Sequence, residues 1–251
     1  MSNTTIVEDY LLPSLGKIYG EKFDPHVRIR SMTVAEEMKR LTPTDMPYKT
    51  MCSIIDDCLE TKLPISVYDM CIGDYQYLLH KLRVVTYGNS YTLTIRCPFC
   101  GSFFDHTINL DEQKVHEYDD SMRDLLSFTL PVTGKTITIG MQTPSDLDRI
   151  EQKKKQLKKD FPDMKDDPTL MLNLSTIIKS IDGEPVNPIT IDTVIKNLPM
   201  KDSNKIIRQA NKLNGKVGVD INILGNCPDC KNDVLTTFRY TSEFFRPTDD
   251  E

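Results

Sequence analysis

The chain has 251 residues, 39% of them hydrophobic, with 31 Lys and Arg against 37 Asp and Glu and a formal net charge of -6. That length permits one large domain or two small ones with a substantial buried core, and the acidic balance argues against general binding to nucleic acid, whose phosphates are met by a basic excess. No run approaches the roughly eighteen apolar residues of a membrane helix, and the acidic, polar start MSNTTIVEDY lacks the order of a secretory signal, so a soluble protein with no membrane contact is expected.

The N-terminal word Leu12-Pro13-Ser14-Leu15-Gly16-Lys17 is punctuated by Pro13, Gly16 and Gly20, which indicate turns, and residues 1–26 are expected to form an extended arm. An extended VRIR segment (27–30) follows, and Thr33 with Glu36 makes a capping box before AEEMKRL, a helix start. After the apolar cluster Ser53 to Ile55 and the PISV word (64–67), Tyr75, Leu78, Leu79 and Leu82 recur at helical spacing from Asp74 onward. That helix runs into YTLTI, a strand that delivers Cys97-Pro98-Phe99-Cys100.

The second half repeats that order. Leu130-Pro131-Val132-Thr133-Gly134-Lys135 sits between FTL and TITI in the manner of a β-hairpin, then come ITIG (137–140), Thr143, and Ser145 before DLDRIEQ as a second helix start. Thr176 to Ile178 matches the apolar cluster, PITI (188–191) matches PISV, and Ile206, Ile207, Ala210 and Leu213 recur helically after Asp202. The strand VGVDINIL delivers Cys227-Pro228-Asp229-Cys230. Seven features in one order, with an offset drifting from about 110 to about 130 residues as loops change length, read as an internal duplication. Recurrence of short apolar and Pro/Gly words by chance is the alternative. The largest departure is 145–183, where SDLDRIEQKKKQLKKDF and PTLMLNLSTIIKSI, split by PDMKDDP, are expected to form a projecting helical hairpin: Leu147, Ile150, Leu157 and Phe161 would meet Leu170, Leu174, Ile177, Ile178 and Ile181.

Seven cysteines, an odd number in a chain of this size, argue against a disulfide framework, and four of them form two CxxC pairs. Zinc favours tetrahedral thiolate coordination, and two residues between cysteines let a tight turn aim both sulfurs at one ion. LTIR-CPFC-GSFFDHTINL and INILGN-CPDC-KNDVLTTFRY each read as strand, knuckle, strand. One structural Zn²⁺ on Cys97, Cys100, Cys227 and Cys230 is therefore expected, with redox use of either pair or unligated thiols as the alternatives. Cys52, Cys58 and Cys71 read as small buried hydrophobes, His106 as a possible substitute ligand, and His26, His80 and His116 have no partner recognisable from sequence.

The fold class expected is α+β: two similar halves, each a helical lobe plus a β-hairpin, joined at a discontinuous four-cysteine zinc ribbon with a projecting helical hairpin. Its divisions are the arm (1–26), a first lobe (27–88), a composite ribbon (89–111 with 217–242), a second lobe (112–216) and an acidic tail (243–251). No GxGxxG, Walker loop, GxSxG, HExxH or EF-hand pattern is present, and the acidic pairs Asp56-Asp57, Asp119-Asp120 and Asp166-Asp167 read as solvated surface, so no enzyme is expected. The basic cluster Lys153, Lys154, Lys155, Lys158 and Lys159 reads as a solvated helix face whose charge suits the helix dipole, with phosphate contact as the alternative. Phe99, Phe103 and Phe104 form either a stacking platform, as in a zinc-ribbon nucleic-acid or transcription factor, or a small ribbon core or protein contact.

The words LPSLGKIYG, VRIRSMTVAEEMKRL, KTMCSIIDDCL and GDYQYLLHKLRVVTYGNSYTLTIRCPFCG resemble the baseplate hub proteins of contractile-tailed bacteriophages of the T-even type, well over about the first hundred residues and more loosely in the second half through the distal CPDC. Leu12, Pro13, Gly16 and Tyr19 match that family's N-terminal arm, Glu36 and Glu37 its first helix, and Asp74, Leu78, Leu79 and Arg83 the segment before the knuckle. The resemblance implies a late, non-enzymatic protein of tail assembly, either a hub subunit in the virion or a hub assembly chaperone in the host cytoplasm, with other tail and baseplate proteins as partners. An arm with Leu12, Pro13, Leu15, Gly16 and Tyr19 is suited to a partner's groove, since proline lowers its ordering cost; internal packing is the equal alternative.

Overall fold

Hydrophobic alternation in VRIR buries Val27 and Ile29, and this strand finds its partner at the chain's own start. In a computed structural model, which describes residues 5–187, 190–240 and 242–245, β1 (Val7–Leu11) pairs antiparallel with β2 (His26–Arg30), Val7 opposite Arg30 and Leu11 opposite His26. Within the expected arm, the described residues hold β1 and a loop from Leu12 to Pro25 that leads back to β2. Then come α1 (Val34–Leu41), started by the Thr33–Glu36 capping box, α2 (Pro47–Cys58) and, after a short 3-10 turn at Val67–Asp69, α3 (Ile72–Tyr87). α3 is buried on nearly every face, and β3 (Ser90–Arg96) and β4 (Phe103–Asn109) form the hairpin that follows it.

A linker carrying β5 (Val115–His116) and α4 (Arg123–Leu126) leads to β6 (Ser127–Thr129) and β7 (Thr136–Ile139), the FTL and TITI words paired as a hairpin. Next are α5 (Pro144–Asp160), α6 (Thr169–Ile177), β8 (Ile178–Ile181), β9 (Glu184–Pro185), α7 (Ile191–Lys196), α8 (Met200–Asn214), β10 (Gly218–Val219) and the closing hairpin β11 (Asn222–Asn226) with β12 (Asp233–Thr237). Among the described residues the strands form four two-stranded sheets and one four-stranded sheet of order β6-β7-β8-β9. The fold is mixed α+β, with small sheets and, among the described residues, eight α-helices.

Four details depart from the sequence reading. α5 begins at Thr143, two residues before Ser145: the Thr143 hydroxyl accepts from the Asp146 amide and the Asp146 carboxylate accepts from the Thr143 amide, with Pro144 suited to the first turn. The second helix of the expected hairpin stops at Ile177, because Ile178 to Ile181 join the sheet, a role that suits β-branched residues. Only the distal part of α5, past Ile150, is mainly exposed; its first turns lie against α2. VGVDINIL is also broken: Asp220 accepts from the Asn222 amide in a turn, so Gly218–Val219 pair with β5 and only Asn222 onward enters the β11–β12 hairpin. Gly218, at φ +113°, lies so close to Gly73 that a Cβ would meet that residue's Cα at 2.9 Å. Pro188 and Ile189 of PITI, and the tail beyond Phe245, lie outside the described residues.

The apolar residues collect in three clusters. The first gathers Leu12, Val27, Ile29, Ile54, Leu78 and Leu82 with Phe238 and Phe244 from the C-terminal end; the second gathers Leu130, Ile137, Ile178, Ile206 and Leu213. The smallest, Ile95, Phe104 and Val234 with Cys97 and Cys227, lies between the two closing hairpins. Two buried aspartates tie each leading loop to a later helix. Asp74, in the first turn of α3, accepts from the Ser14 amide (3.0 Å) and the Tyr19 hydroxyl (2.7 Å), whereas Asp202 of α8 accepts from the amides of Val132 (2.8 Å) and Thr133 (3.0 Å).

Candidate metal centre

Strand register fixes where the sulfurs point. In β3–β4 Arg96 faces Phe103, and in β11–β12 Asn226 faces Asp233, so each cysteine pair sits in the turn just past the last ladder pair. Both turns are built alike. The Cys97 amide donates to the Ser102 carbonyl (2.8 Å) and the Gly101 amide to the Cys97 carbonyl (2.9 Å); the Cys227 amide donates to the Asn232 carbonyl (3.0 Å) and the Lys231 amide to the Cys227 carbonyl (2.9 Å). Each turn closes through a left-handed residue, Gly101 at φ +81° and Lys231 at φ +59°. The hairpins meet across Ile95, Phe104 and Val234, and Gly225 permits the approach, since a Cβ there would stand 3.1 Å from the Ile95 side chain.

The four sulfurs converge. Cys97 and Cys230 are 3.6 Å apart, Cys100 and Cys227 3.7 Å, and all four Sγ atoms lie within 4.8 Å of one another. A disulfide would need about 2.05 Å, while a tetrahedron with metal–sulfur bonds of about 2.3 Å has edges of about 3.8 Å. The residues therefore fit a zinc-sized ion. Cys97 and Cys227 are fully buried, Cys100 is exposed and Cys230 is half-buried, so the cluster has one face toward solvent.

Polar neighbours favour thiolate charge. The Ser102 hydroxyl lies 3.0 Å from the Cys100 sulfur and 3.5 Å from that of Cys227, and the Asn232 amide donates to Cys230 at 3.3 Å. The Cys230 backbone amide, followed by Ser102, draws the Cys227 thiol down to about 6, and the Ser102 hydroxyl lowers Cys100. Cys97 is pushed up to about 11 by burial. Ser102 and Asn232 escaped the sequence reading, because hydroxyl and amide residues beside cysteines carry no spacing signal.

The other candidates fall elsewhere. His106 sits on β4 opposite Leu93 and is not part of the cluster. Cys52 and Cys58 are buried among apolar side chains, and burial raises both thiols. Cys71 is buried too, but its sulfur also accepts from the Asp74 amide as the N-cap of α3. Of the N-terminal residues, Leu12, Pro13 and Gly16 are buried, Leu15 is half-buried, and Tyr19 is committed to Asp74 while accepting from the Cys71 amide (3.0 Å). Leu12 lies in the first apolar cluster and Tyr19 packs against it, while Lys17, Ile18, Gly20, Glu21, Lys22 and Asp24 of the same loop are exposed. Phe99 and Phe103 are exposed, Phe104 is core, and the Arg96 guanidinium lies over the Phe103 ring at 5.9 Å. In the basic cluster, Lys154 meets Glu151 and Lys155 meets Asp45.

The family model described as T4 bacteriophage base plate protein matches residues 3–246, nearly the whole chain. The chain belongs to that family. No curated protein and no solved structure matches it. Base plate membership covers both cysteine hairpins and the whole path between them, so the converging sulfurs lie inside the family's domain and are not an appendage to it. No helix among the described residues is long and apolar enough to cross a membrane.

Proposed function

We propose that this base plate family member is a non-enzymatic protein of the phage tail, either a hub subunit or a chaperone of hub assembly, acting through contacts with other tail and baseplate proteins. One zinc ion on Cys97, Cys100, Cys227 and Cys230 makes it rigid by joining hairpins far apart in the sequence. The observation that carries this reading is the convergence of sulfurs 133 residues apart within 3.6 Å. Four thiolates fill a tetrahedral ion, leaving no position for substrate, which suits a clamp and not a catalyst.

The two halves are read as equivalent, and several contacts support that. Each leading loop is held by an aspartate in the first turn of a late helix, Asp74 or Asp202, and each carries a glycine at φ +69°, Gly16 or Gly134. Thr33 and Thr143 both close capping boxes. Leu59 after α2 bridges Ile29, and β8 after α6 pairs with β7. Each half ends in a knuckle.

Cross-linking of purified tails and assembly intermediates tests the function. Neighbours drawn from baseplate proteins, insensitive to nuclease, are expected; presence in finished particles marks a subunit, and presence in intermediates alone marks a chaperone. The exposed Phe99 and Phe103 with Arg96 favour a second reading, a nucleic-acid-binding ribbon. Salt-dependent single-strand binding lost on Phe103→Ala would replace the first reading with that one.

A further inference from the structure

α1 turns its apolar face outward. Val34, Met38 and Leu41 lie on one stripe and are 75%, 66% and 65% exposed, while the opposite face buries Glu36 in an ion pair with Arg30 at 2.7 Å. A helix of a free-standing protein ordinarily buries such a stripe.

The equivalent helix in the second half is used differently. Thr33 and Thr143 are the N-caps of α1 and α5, which places Val34 in register with Pro144 and Met38 with Asp148. In α5 the start of that face is buried and meets α2: Pro144 is buried, and Asp148, 1% exposed, accepts from the Lys49 amide in the first turn of α2 (2.8 Å) and from the Tyr68 hydroxyl (3.2 Å), while Glu151, in register with Leu41, is exposed. α2 has no side-chain cap of its own, so Asp148 supplies one. By the match of Ser53-Ile54-Ile55 with Thr176-Ile177-Ile178, the counterpart of α2 is α6. Its first turn carries Leu170, 40% exposed, and the turn leading to it starts at Phe161, 59% exposed. α6 already has a carboxylate at its start, since Asp167 accepts from the Thr169 amide at 3.0 Å. A face docking there needs no acid, and Met38 stands where α5 has Asp148. The contact of α5 on α2 is made within the chain; its equivalent, α1 on α6, is open at both ends.

We propose that α1 of one copy docks on the first turn of α6 in a second copy, repeating between molecules the contact that α5 makes with α2 inside one. The inference rests on the equivalence of the halves proposed above. Such an interface is heterologous and directional, so it builds a ring or an open row and not an isologous pair. An eight-residue helix offers less than the ~800 Å² per partner of a standard interface, so association in solution is weak and grows with concentration.

Sedimentation velocity across a concentration series tests this. The wild-type protein is expected to grow in mass beyond the monomer, whereas Met38→Lys with Leu41→Lys, and separately Leu170→Lys, each stay monomeric. An equimolar mixture of the two variants is expected to give a dimer and nothing larger, because one intact junction remains. Circular dichroism and zinc content, unchanged in both, separate a lost contact from a lost fold or a failed clamp; the tail cross-links test the function independently. A wild-type protein that is monomeric at every concentration overturns the proposal. So does a Leu170→Lys protein that associates as well as wild type, since α6 is then not the receiving site.

Discussion

Asp148, Asp74 and Asp202 do the same work at three places: a buried carboxylate accepts backbone amides that the local chain leaves unpaired. Asp148→Ala strips the first turn of α2 of its cap, and urea unfolding is expected to show a loss of about 1–2 kcal/mol; the surface change Asp163→Ala, with no such amides, is expected to fall within about 0.5 kcal/mol of wild type. His80 gives a pH signature. Its ring is buried with Nε2 2.9 Å from the Leu110 carbonyl, and burial holds its pKa down to about 4 from 6.5. The folded state therefore keeps the ring neutral where the unfolded chain protonates it. The stabilising effect is complete above 6.5 and is lost as pH falls from 6.5 toward 4. His80→Gln is expected to flatten the fall in unfolding free energy across that window relative to wild type, a difference in which the pH dependence of any metal held by the cysteines cancels. Equal slopes would remove His80 from the account.

The helices and hairpins were largely legible, for reasons that can be named. Thr33 and Glu36 wrote the start of α1 as a capping box, and the CPFC and CPDC words wrote the knuckles, because both patterns are local. What was hidden depends on partners distant in sequence. Nothing in VEDYL announces that it pairs with HVRIR, and LPSLGK reads as an open arm until Asp74 receives the Ser14 amide across 60 residues. Asp148 looks like an ordinary acid in a helix's first turns until α2 arrives. The knuckles offer a further test at this scale. Lys231 holds a left-handed conformation that costs a side chain about 1 kcal/mol, while Gly101 holds its equivalent freely with open space where a Cβ would stand. Lys231→Gly is expected to stabilise by about 0.5–1 kcal/mol and Gly101→Ala to destabilise by about 1 kcal/mol in thermal unfolding. The same sign for both changes would contradict the matched geometry of the turns.

At the scale of the whole molecule, the two larger apolar clusters meet along α3 and its surroundings: Tyr19 packs on both, Cys71 enters the second, Gly73 lies against Val217 and Gly218, and α5 lies on α2, while both cysteine hairpins rest on the first cluster through Ile108 and Ile223 and meet each other at the sulfurs. The hairpin interface alone is small, with Ile95, Phe104 and Val234 at its centre, so a shared ion would add much to the few apolar contacts that hold it. The sulfurs of both halves must share one ion for the clamp to hold. Native mass spectrometry of the wild type and of Cys97→Ser and Cys227→Ser measures this directly. One zinc per wild-type chain is expected, with its loss in both variants and a matching drop in melting temperature, because either change opens the same site. A variant that keeps a full equivalent of zinc, or a wild type that carries two, would mean that the pairs act separately and that no shared ion holds the protein together.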